Sequence, residues 1–295
     1  MNTLTVSIIL PAFNEEKAIG HVIDDIQKVM RHTSYTYELF VVDDASTDQT
    51  AKIAKSKGIV TIQHPFQRGS GAARKTGIRH AKGDIIVMLD ADGTYDTQDI
   101  PKMLDLFPQV DQVIGARTSE KGTLKWLRSP AKWTLKKIAS LLTGVPIPDL
   151  NSGLKAFKKE IVIKYLWLIP DGFSCVSSIT LAFLCNGYYV KWIPTNYFKR
   201  IGESKFHPLK DSYRYLITII RMIMYFNPLK VFLPISLFLL VFGIIKSLYD
   251  YFVIVHRLQL SDIIILLTAV SIFVMGMVAD LIVSQGKALS EFKKN

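Results

Sequence analysis

IIVMLDADGTY, residues 85–95, is an apolar run that ends abruptly in two carboxylates. Ile85–Leu89 is β-rich and short, and it reads as a buried strand. Asp90 and Asp92 follow it two residues apart, so in an extended segment both side chains project to one side. Two carboxylates so arranged can bind a hard divalent cation that also bridges two phosphates. An Asp-Gly turn explains Asp92-Gly93 as well, and spacing alone leaves both readings open.

Upstream, the same pattern occurs twice. Val6–Leu10 runs into Pro11-Ala12-Phe13-Asn14-Glu15-Glu16, and Leu39–Val42 runs into Asp43-Asp44-Ala45-Ser46. Between the strands, Glu15–Arg31 and Thr47–Lys57 have helical spacing, with Ser46 or Thr47 as cap for the second helix. This β-α-β-α-β alternation predicts an α/β doubly wound domain whose ligand site lies beyond the carboxyl ends of its strands. Three polar strand endings then converge where a nucleotide would lie. Phe13 is suited to pack near a base, and Asp43 or Asp44 to accept from a pyrimidine or guanine N–H, the other capping the next helix. Met1-Asn2-Thr3 leads directly into the first strand, without the basic region and cleavage site of a signal peptide.

With 295 residues, 49% hydrophobic and 21% charged, the chain has enough material for one substantial domain and further elements, which excludes a disordered or fibrous protein. Cys175 and Cys185 are the only cysteines and lack zinc-site spacing, so a reducing compartment is expected and a disulfide framework is not. The net charge of +11 is uneven. Residues 1–116 carry 12 basic and 15 acidic side chains, residues 117–230 carry 19 and 6, and residues 231–295 carry 5 and 4. The basic middle lies directly before apolar segments, a position that favours lipid headgroups and phosphorylated substrates over nucleic acid.

Mean hydropathy is +0.24, with the apolar excess after Lys230. Thr123–Leu142 mixes Trp126, Trp133, Ile138 and Leu142 with five cations, as an interfacial amphipathic helix does, and Pro208–Asn227 reads as a second. Two spans follow, about Leu229–Tyr249 and Asp262–Ser284, each near the ~20 residues that cross about 30 Å of hydrocarbon. Lys246 is expected to snorkel and Asp280 to reach the interface. Cations before Leu229 and after the second span put both termini in the cytoplasm. The 17 uncharged residues from Ile263 to Ala279 argue against a soluble hairpin.

PAFNEE (11–16), VVDDASTDQT (41–50), RGSGAARKTGI (68–78) and LDADGTY (89–95), in this order and at these separations, resemble family 2 glycosyltransferases with the GT-A fold. DLNSGLKAF (149–157) and RIGESK (200–205), followed by an interfacial helix and two spans, narrow the likeness to polyprenyl-phosphate glycosyltransferases, relatives of dolichol-phosphate mannose synthase. The resemblance implies that Pro11, Phe13, Glu15 and Asp44 meet base and ribose, with Asp43 beside them. It implies that Asp90 and Asp92 serve a Mg²⁺ or Mn²⁺ ion and the diphosphate. Arg117 and Arg200, with Ser204 and Lys205, match positions that meet the donor diphosphate or the acceptor phosphate, a task suited to the guanidinium fork.

There is one departure. Many such relatives carry a carboxylate in the helix after Gly172-Phe173-Ser174, whereas this chain has Val176-Ser177-Ser178-Ile179. A sugar-hydroxyl acceptor would need that base. A phosphate monoester, with a second pKa of about 6, is already largely ionised at neutral pH. Asp149 remains available to orient it. The expectation is therefore a metal-dependent, inverting transfer from a UDP- or GDP-sugar to a polyprenyl phosphate at the cytoplasmic membrane face, with Asp90, Asp92, Asp149 and Arg200 as catalytic residues. The expected organisation is a catalytic domain over 1–207, an amphipathic helix over 208–228, two spans within 229–284 and a tail over 285–295, with self-association left open. Rival readings are transfer to a glycan or lipid-linked saccharide hydroxyl, and a noncatalytic membrane scaffold that binds nucleotide-sugar.

Overall fold

The computed structural model describes residues 4–118, 136–137, 139–141, 143–172, 174–201, 208–254 and 256–292. They fall into two units, Met1–Ile219 and Ile220–Asn295. In the first, β1 (Thr5–Ala12), β2 (Thr36–Asp43), β3 (Val60–Gln63), β4 (Ile85–Met88), β5 (Gln112–Arg117), β6 (Lys155–Lys158) and β7 (Val190–Thr195) form one sheet in the order β3-β2-β1-β4-β6-β5-β7. Pairing is parallel except at β6, which runs antiparallel to β4 and β5. The three expected strands are β1, β2 and β4. The carboxyl ends of β1, β2, β4, β5 and β7 and the start of β6 thus share one edge.

Alternation along the strands assigns the two faces. Val6, Ile8 and Leu10 pack with Ile19, Val22, Ile23 and Ile26 of α1 (Ile19–Met30), with Ala54 of α2 (Thr50–Ser56), and with Ile100 and Met103 of α4 (Asp99–Leu104). On the opposite face Ile9 meets α3 (Ser70–His80) so closely that a Cβ on Gly77 would overlap it. That face also carries α5 (Lys159–Tyr165) and α6 (Cys175–Cys185), where Phe157 of β6 packs on Phe183 at 6.2 Å between ring centroids.

Both expected helices begin late. Glu15–Ala18 form a turn in which Ala18 and Ile19 N–H donate to the Glu15 carbonyl at 3.0 and 2.9 Å. Neither Ser46 nor Thr47 caps α2. Ser46 Oγ accepts from the Asn14 N–H at 2.9 Å and the Thr47 N–H donates to Asn14 Oδ1 at 2.8 Å, so both are spent joining the ends of β1 and β2. Gln49 stands at the N-cap without a side-chain cap, and Asp48 just before it accepts the Thr50 N–H at 2.9 Å.

α7 (Pro208–Phe226) matches the second amphipathic stretch. Of the first, only residues 136–137 and 139–141 are described, all helical; the rest of Thr123–Leu142 lies outside the described residues. In the second unit, α8 (Leu229–Tyr249) continues through a π-helical turn, Asp250–Ile254, and α9 (Leu260–Phe292) returns along it. Leu229–Ile254 and Leu260–Gly286, with mean hydropathies of 2.3 and 2.4, are long and apolar enough to cross a membrane. Gly243 permits close packing, since a Cβ there would lie 2.9 Å from Leu266 and 3.0 Å from Ile265. Lys246 extends towards the turn of the hairpin, where it finds partners. Its Nζ donates to Asp250 Oδ2 at 2.6 Å, Asp262 Oδ1 at 2.5 Å and Ser261 Oγ at 2.9 Å, because pairing within the hairpin satisfies all three charges.

Candidate active site

The crevice opens where the strand order reverses, with β2 on one side of β1 and β4 on the other. Pro11, the penultimate residue of β1, is buried and paired with Val42, and half-buried Phe13 lies just beyond the strand. Asn14 and Ala45 adopt φ of 55° and 61°, turning the chain sharply at the ends of β1 and β2.

Both carboxylates of the second strand end are buried. Asp43 accepts from Gln63 Nε2 at 3.2 Å and from the Ser46 N–H at 3.3 Å. Asp44 accepts the N–H groups of Arg68 and Gly69 at 2.9 and 2.7 Å and pairs with His64 Nδ1 at 2.7 Å. His64 Nε2 in turn reaches Thr76 Oγ1 at 2.9 Å. Asp44 therefore organises the 64–69 loop beside the crevice, and neither Asp43 nor Asp44 caps α2, contrary to the expectation that one of them would.

Asp90 and Asp92 have different surroundings. Asp90 is ion-paired with Arg74 Nη2, whose Nη1 donates to the Ser70 carbonyl at 3.1 Å, and Gly153 lies against the carboxylate where any Cβ would collide with it. Asp92 Oδ1 accepts from the hydroxyl and N–H of Thr94 at 2.6 and 3.1 Å, while Oδ2 lies 3.4 Å from Arg200 Nε. Arg200 also donates through Nη2 to Glu15 Oε1. Burial, and then the charge of Asp90, raise the Asp92 carboxyl above its ordinary range despite Thr94 and Arg200.

The other side of the crevice is built around Arg117. Its Nε and Nη2 form a bidentate pair with Asp149 at 2.7 and 2.9 Å, and the Asn151 N–H donates to the same carboxylate at 3.0 Å. Burial pushes Asp149 up, but the Arg117 hydrogen bonds and charge outweigh it, and the carboxyl is lowered overall. Arg117 lies 5.3 Å over the Tyr197 ring, Tyr197 packs edge-on against Tyr95 at 5.2 Å, and Tyr95 Oη accepts the Gly153 N–H at 2.6 Å. A continuous set of contacts thus joins Asp149 and Arg117 to Gly153, beside Asp90. Arg200 belongs to the same edge, since Phe198 and Ile201 N–H donate to the carbonyls of Thr94 and Asp92 at 2.8 and 3.4 Å. Ser204 and Lys205 lie outside the described residues.

Among the described residues, no three His, Cys, Asp or Glu side chains are arranged to hold a metal. The donor chemistry nevertheless fits a divalent ion that takes one or two carboxylates from protein and the remainder from phosphate and water. Burial first and the Asp90 charge second raise the Asp92 carboxyl, and a cation bound between the two carboxylates would offset both.

Sequence reading passed over Arg74, Tyr95, Tyr197 and Lys155. Arg74 and Tyr95 lie inside the quoted motifs, but nothing in their spacing pairs them with Asp90 or Gly153. Lys155 had a legible signal, a cation between Leu154 and Ala156-Phe157 in an apolar strand. Ser178, in the helix that lacks a carboxylate, is fully buried, and its hydroxyl has no hydrogen-bond partner among the described residues.

Comparison with known proteins agrees with this architecture. Residues 7–166 match the model of Glycosyl transferase family 2, and residues 227–284 match the GtrB C-terminal hairpin. Dolichyl-phosphate hexose transferase of Haloferax volcanii is 30% identical over 205 residues, covering 69% of this chain and 87% of that protein. Glycosyltransferase AglJ of the same organism is 28% identical over 293 residues, covering 95% and 94%. Glucosyl-3-phosphoglycerate synthase from Mycobacterium tuberculosis, crystallised with Mn²⁺ and UDP-glucose, superposes with a TM-score of 0.56 at 20% identity, covering 74% of this chain and 79% of that one, and shares the GT-A fold. With the family match covering more than half of the chain, this protein belongs to glycosyl transferase family 2.

Proposed function

We propose that this glycosyltransferase moves a sugar, with inversion, from a UDP- or GDP-sugar to a polyprenyl phosphate at the cytoplasmic membrane face. One observation carries the reading: an acidic pair, Asp90 and Asp92, shares a strand edge with two guanidinium groups, Arg117 and Arg200. Such an edge suits a reaction with an anionic leaving group and an anionic nucleophile. The name of the Haloferax dolichyl-phosphate hexose transferase and the apolar hairpin support a lipid phosphate as the acceptor.

Pro11, Phe13, Glu15, Asp43 and Asp44 form or brace the nucleotide side of the crevice. Asp90, held by Arg74, and Asp92 would hold Mg²⁺ or Mn²⁺. When bound there, the ion supplies neutralisation of the leaving diphosphate. Arg117, oriented by Asp149, and Arg200, once exchanged from Glu15 and Asp92, would bind the diphosphate and the acceptor phosphate, with Ser204 and Lys205 assigned to the same task. The acceptor oxygen attacks the anomeric carbon in line as the bond to the diphosphate breaks. A phosphate dianion carries no proton that must be removed for this attack, which is consistent with Ser178 in place of an acid.

The direct test is incubation of the purified chain with radiolabelled nucleotide-sugars, Mg²⁺ or Mn²⁺, and undecaprenyl or dolichyl phosphate. A labelled lipid cleaved by mild acid is expected. Its absence across a full donor panel, in a folded preparation, would overturn the reading.

A further inference from the structure

Lys155 is a fully buried lysine one strand away from the Asp90 edge. It alternates with Leu154 and Ala156, which face the α1 and α4 core, so its side chain runs to the opposite face beneath α6. There Nζ donates to Thr180 Oγ1 at 2.6 Å, and the same Thr180 hydroxyl donates to the Val176 carbonyl at 3.2 Å. An ammonium group has three N–H donors. No carboxylate forms an ion pair with this one among the described residues, an arrangement costly for a charged amine and tolerable for a neutral one.

The ionisable groups around it come from every neighbouring element. Asp149, in the loop before β6, favours the ammonium; Arg117 of β5 and Arg74 of α3 oppose it; Cys175 of α6, itself pushed up to about 11 by burial, is an uncharged thiol at neutral pH. Burial dominates and draws Lys155 down to about 7. The amine belongs to the strand beside β4, opposite Met88 and so two residues short of Asp90, and it feels the charges of both cations that serve the crevice, Arg74 through Asp90 and Arg117 through Asp149.

We propose that Lys155 is a positioning residue that takes up a proton when an anionic phosphate ligand binds above it, adding a positive charge beneath the site only while the ligand is present. In the ligand-free protein a fixed third cation beside Arg74 and Arg117 would be repelled by both and would compete with Arg117 for Asp149. Phosphate groups on Arg117 or Arg200 add negative charge to the same region, and nearby negative charge favours the protonated amine. By linkage, proton uptake then strengthens anion binding below neutrality and weakens it as Lys155 deprotonates. The identity of the ligand rests on the function proposed above; the buried amine does not.

The test is calorimetric titration of the detergent-solubilised full chain with UDP and with GDP in the presence of MnCl₂, at pH 7, in two buffers of different ionisation enthalpy. Wild type should take up as much as about half a proton per nucleotide beyond the nucleotide's own contribution, given a group half-protonated at that pH. Lys155→Met should bind the nucleotide with that uptake lost. Lys155→Arg, charged at that pH with or without ligand, should lose it as well and keeps the test decisive where the Met variant fails to fold. Equal uptake by wild type and a folded variant would overturn the role of Lys155 alone. Failure of wild type to bind either nucleotide would overturn the nucleotide-sugar reading and the linkage with it.

Discussion

At the scale of single residues, the crevice contains carboxylates with opposite consequences for stability. Asp92 is raised in the fold, so its ionisation opposes folding once the pH exceeds its unfolded value. Asp92→Asn should therefore raise the melting temperature of the ligand-free protein while lowering transfer by about 10²–10³-fold, if the loss resembles removal of one strong electrostatic stabiliser. Mn²⁺ with nucleotide should raise the melting temperature of wild type and leave this variant unmoved. Asp149 is lowered, and its contribution is present above the unfolded carboxyl value and lost as the pH falls through the folded one. Melting of Asp149→Asn followed from pH 5 to pH 2 should be flatter than wild type. For Lys155, whose folded value of about 7 lies below that of the unfolded chain, the unfolded state binds more protons at alkaline pH. Stability measured from pH 7 to pH 10 should thus rise more in wild type than in Lys155→Met.

At the scale of elements, the N-terminus of α3 is fixed by the loop before α6. The N–H groups of Gly71 and Ala72 donate to the Asp171 carbonyl at 2.8 and 3.1 Å, Lys75 Nζ donates to the Ile169 carbonyl at 3.0 Å, and Lys75 is ion-paired with Asp171. This docking requires glycine at 71, because a Cβ there would enter the backbone of Pro170 and Asp171. Gly71→Ala should destabilise the fold by about 1–3 kcal/mol, the usual cost of overpacking, read from denaturant midpoints. Since α3 also supplies Arg74 to Asp90, the same variant should weaken metal-dependent transfer. Strand positions were legible because buried parallel strands are continuous apolar runs. Helix starts were not, since Ser46 and Thr47 bond to a loop more than thirty residues away and no local capping rule includes that competitor.

At the scale of the molecule, the second unit is an apolar hairpin in which Lys246, Asp250 and Asp262 form one cluster. Asp262 is fully buried and Asp250 nearly so, and Lys246 serves both. Lys246→Met should leave two uncompensated carboxylates and make the hairpin easier to cleave by protease in detergent, with Asp262→Asn in the same chain partly restoring resistance. The proposed topology predicts that a cysteine introduced at Arg257 is labelled only from the side opposite the crevice, by an impermeant maleimide on intact cells or oriented vesicles. Retention of the chain in alkali-washed membranes would test the insertion itself.

The sequence by itself determined what periodicity and composition can encode: three strands that end in acid, an α/β domain, two long apolar helices, and the chemical character of Asp90-Ala91-Asp92. These follow from local side-chain patterns, which persist wherever the segment is placed. Tertiary structure decided which charges meet. Arg74 neutralises Asp90, Arg200 lies between Glu15 and Asp92, Asp149 orients Arg117, and Lys155 is sealed beneath them. Those partners come from distant strands and loops, and only the sheet order brings them to one edge. The difference between the two carboxylates of the motif, one paired and one raised by burial, is a property of that assembled environment.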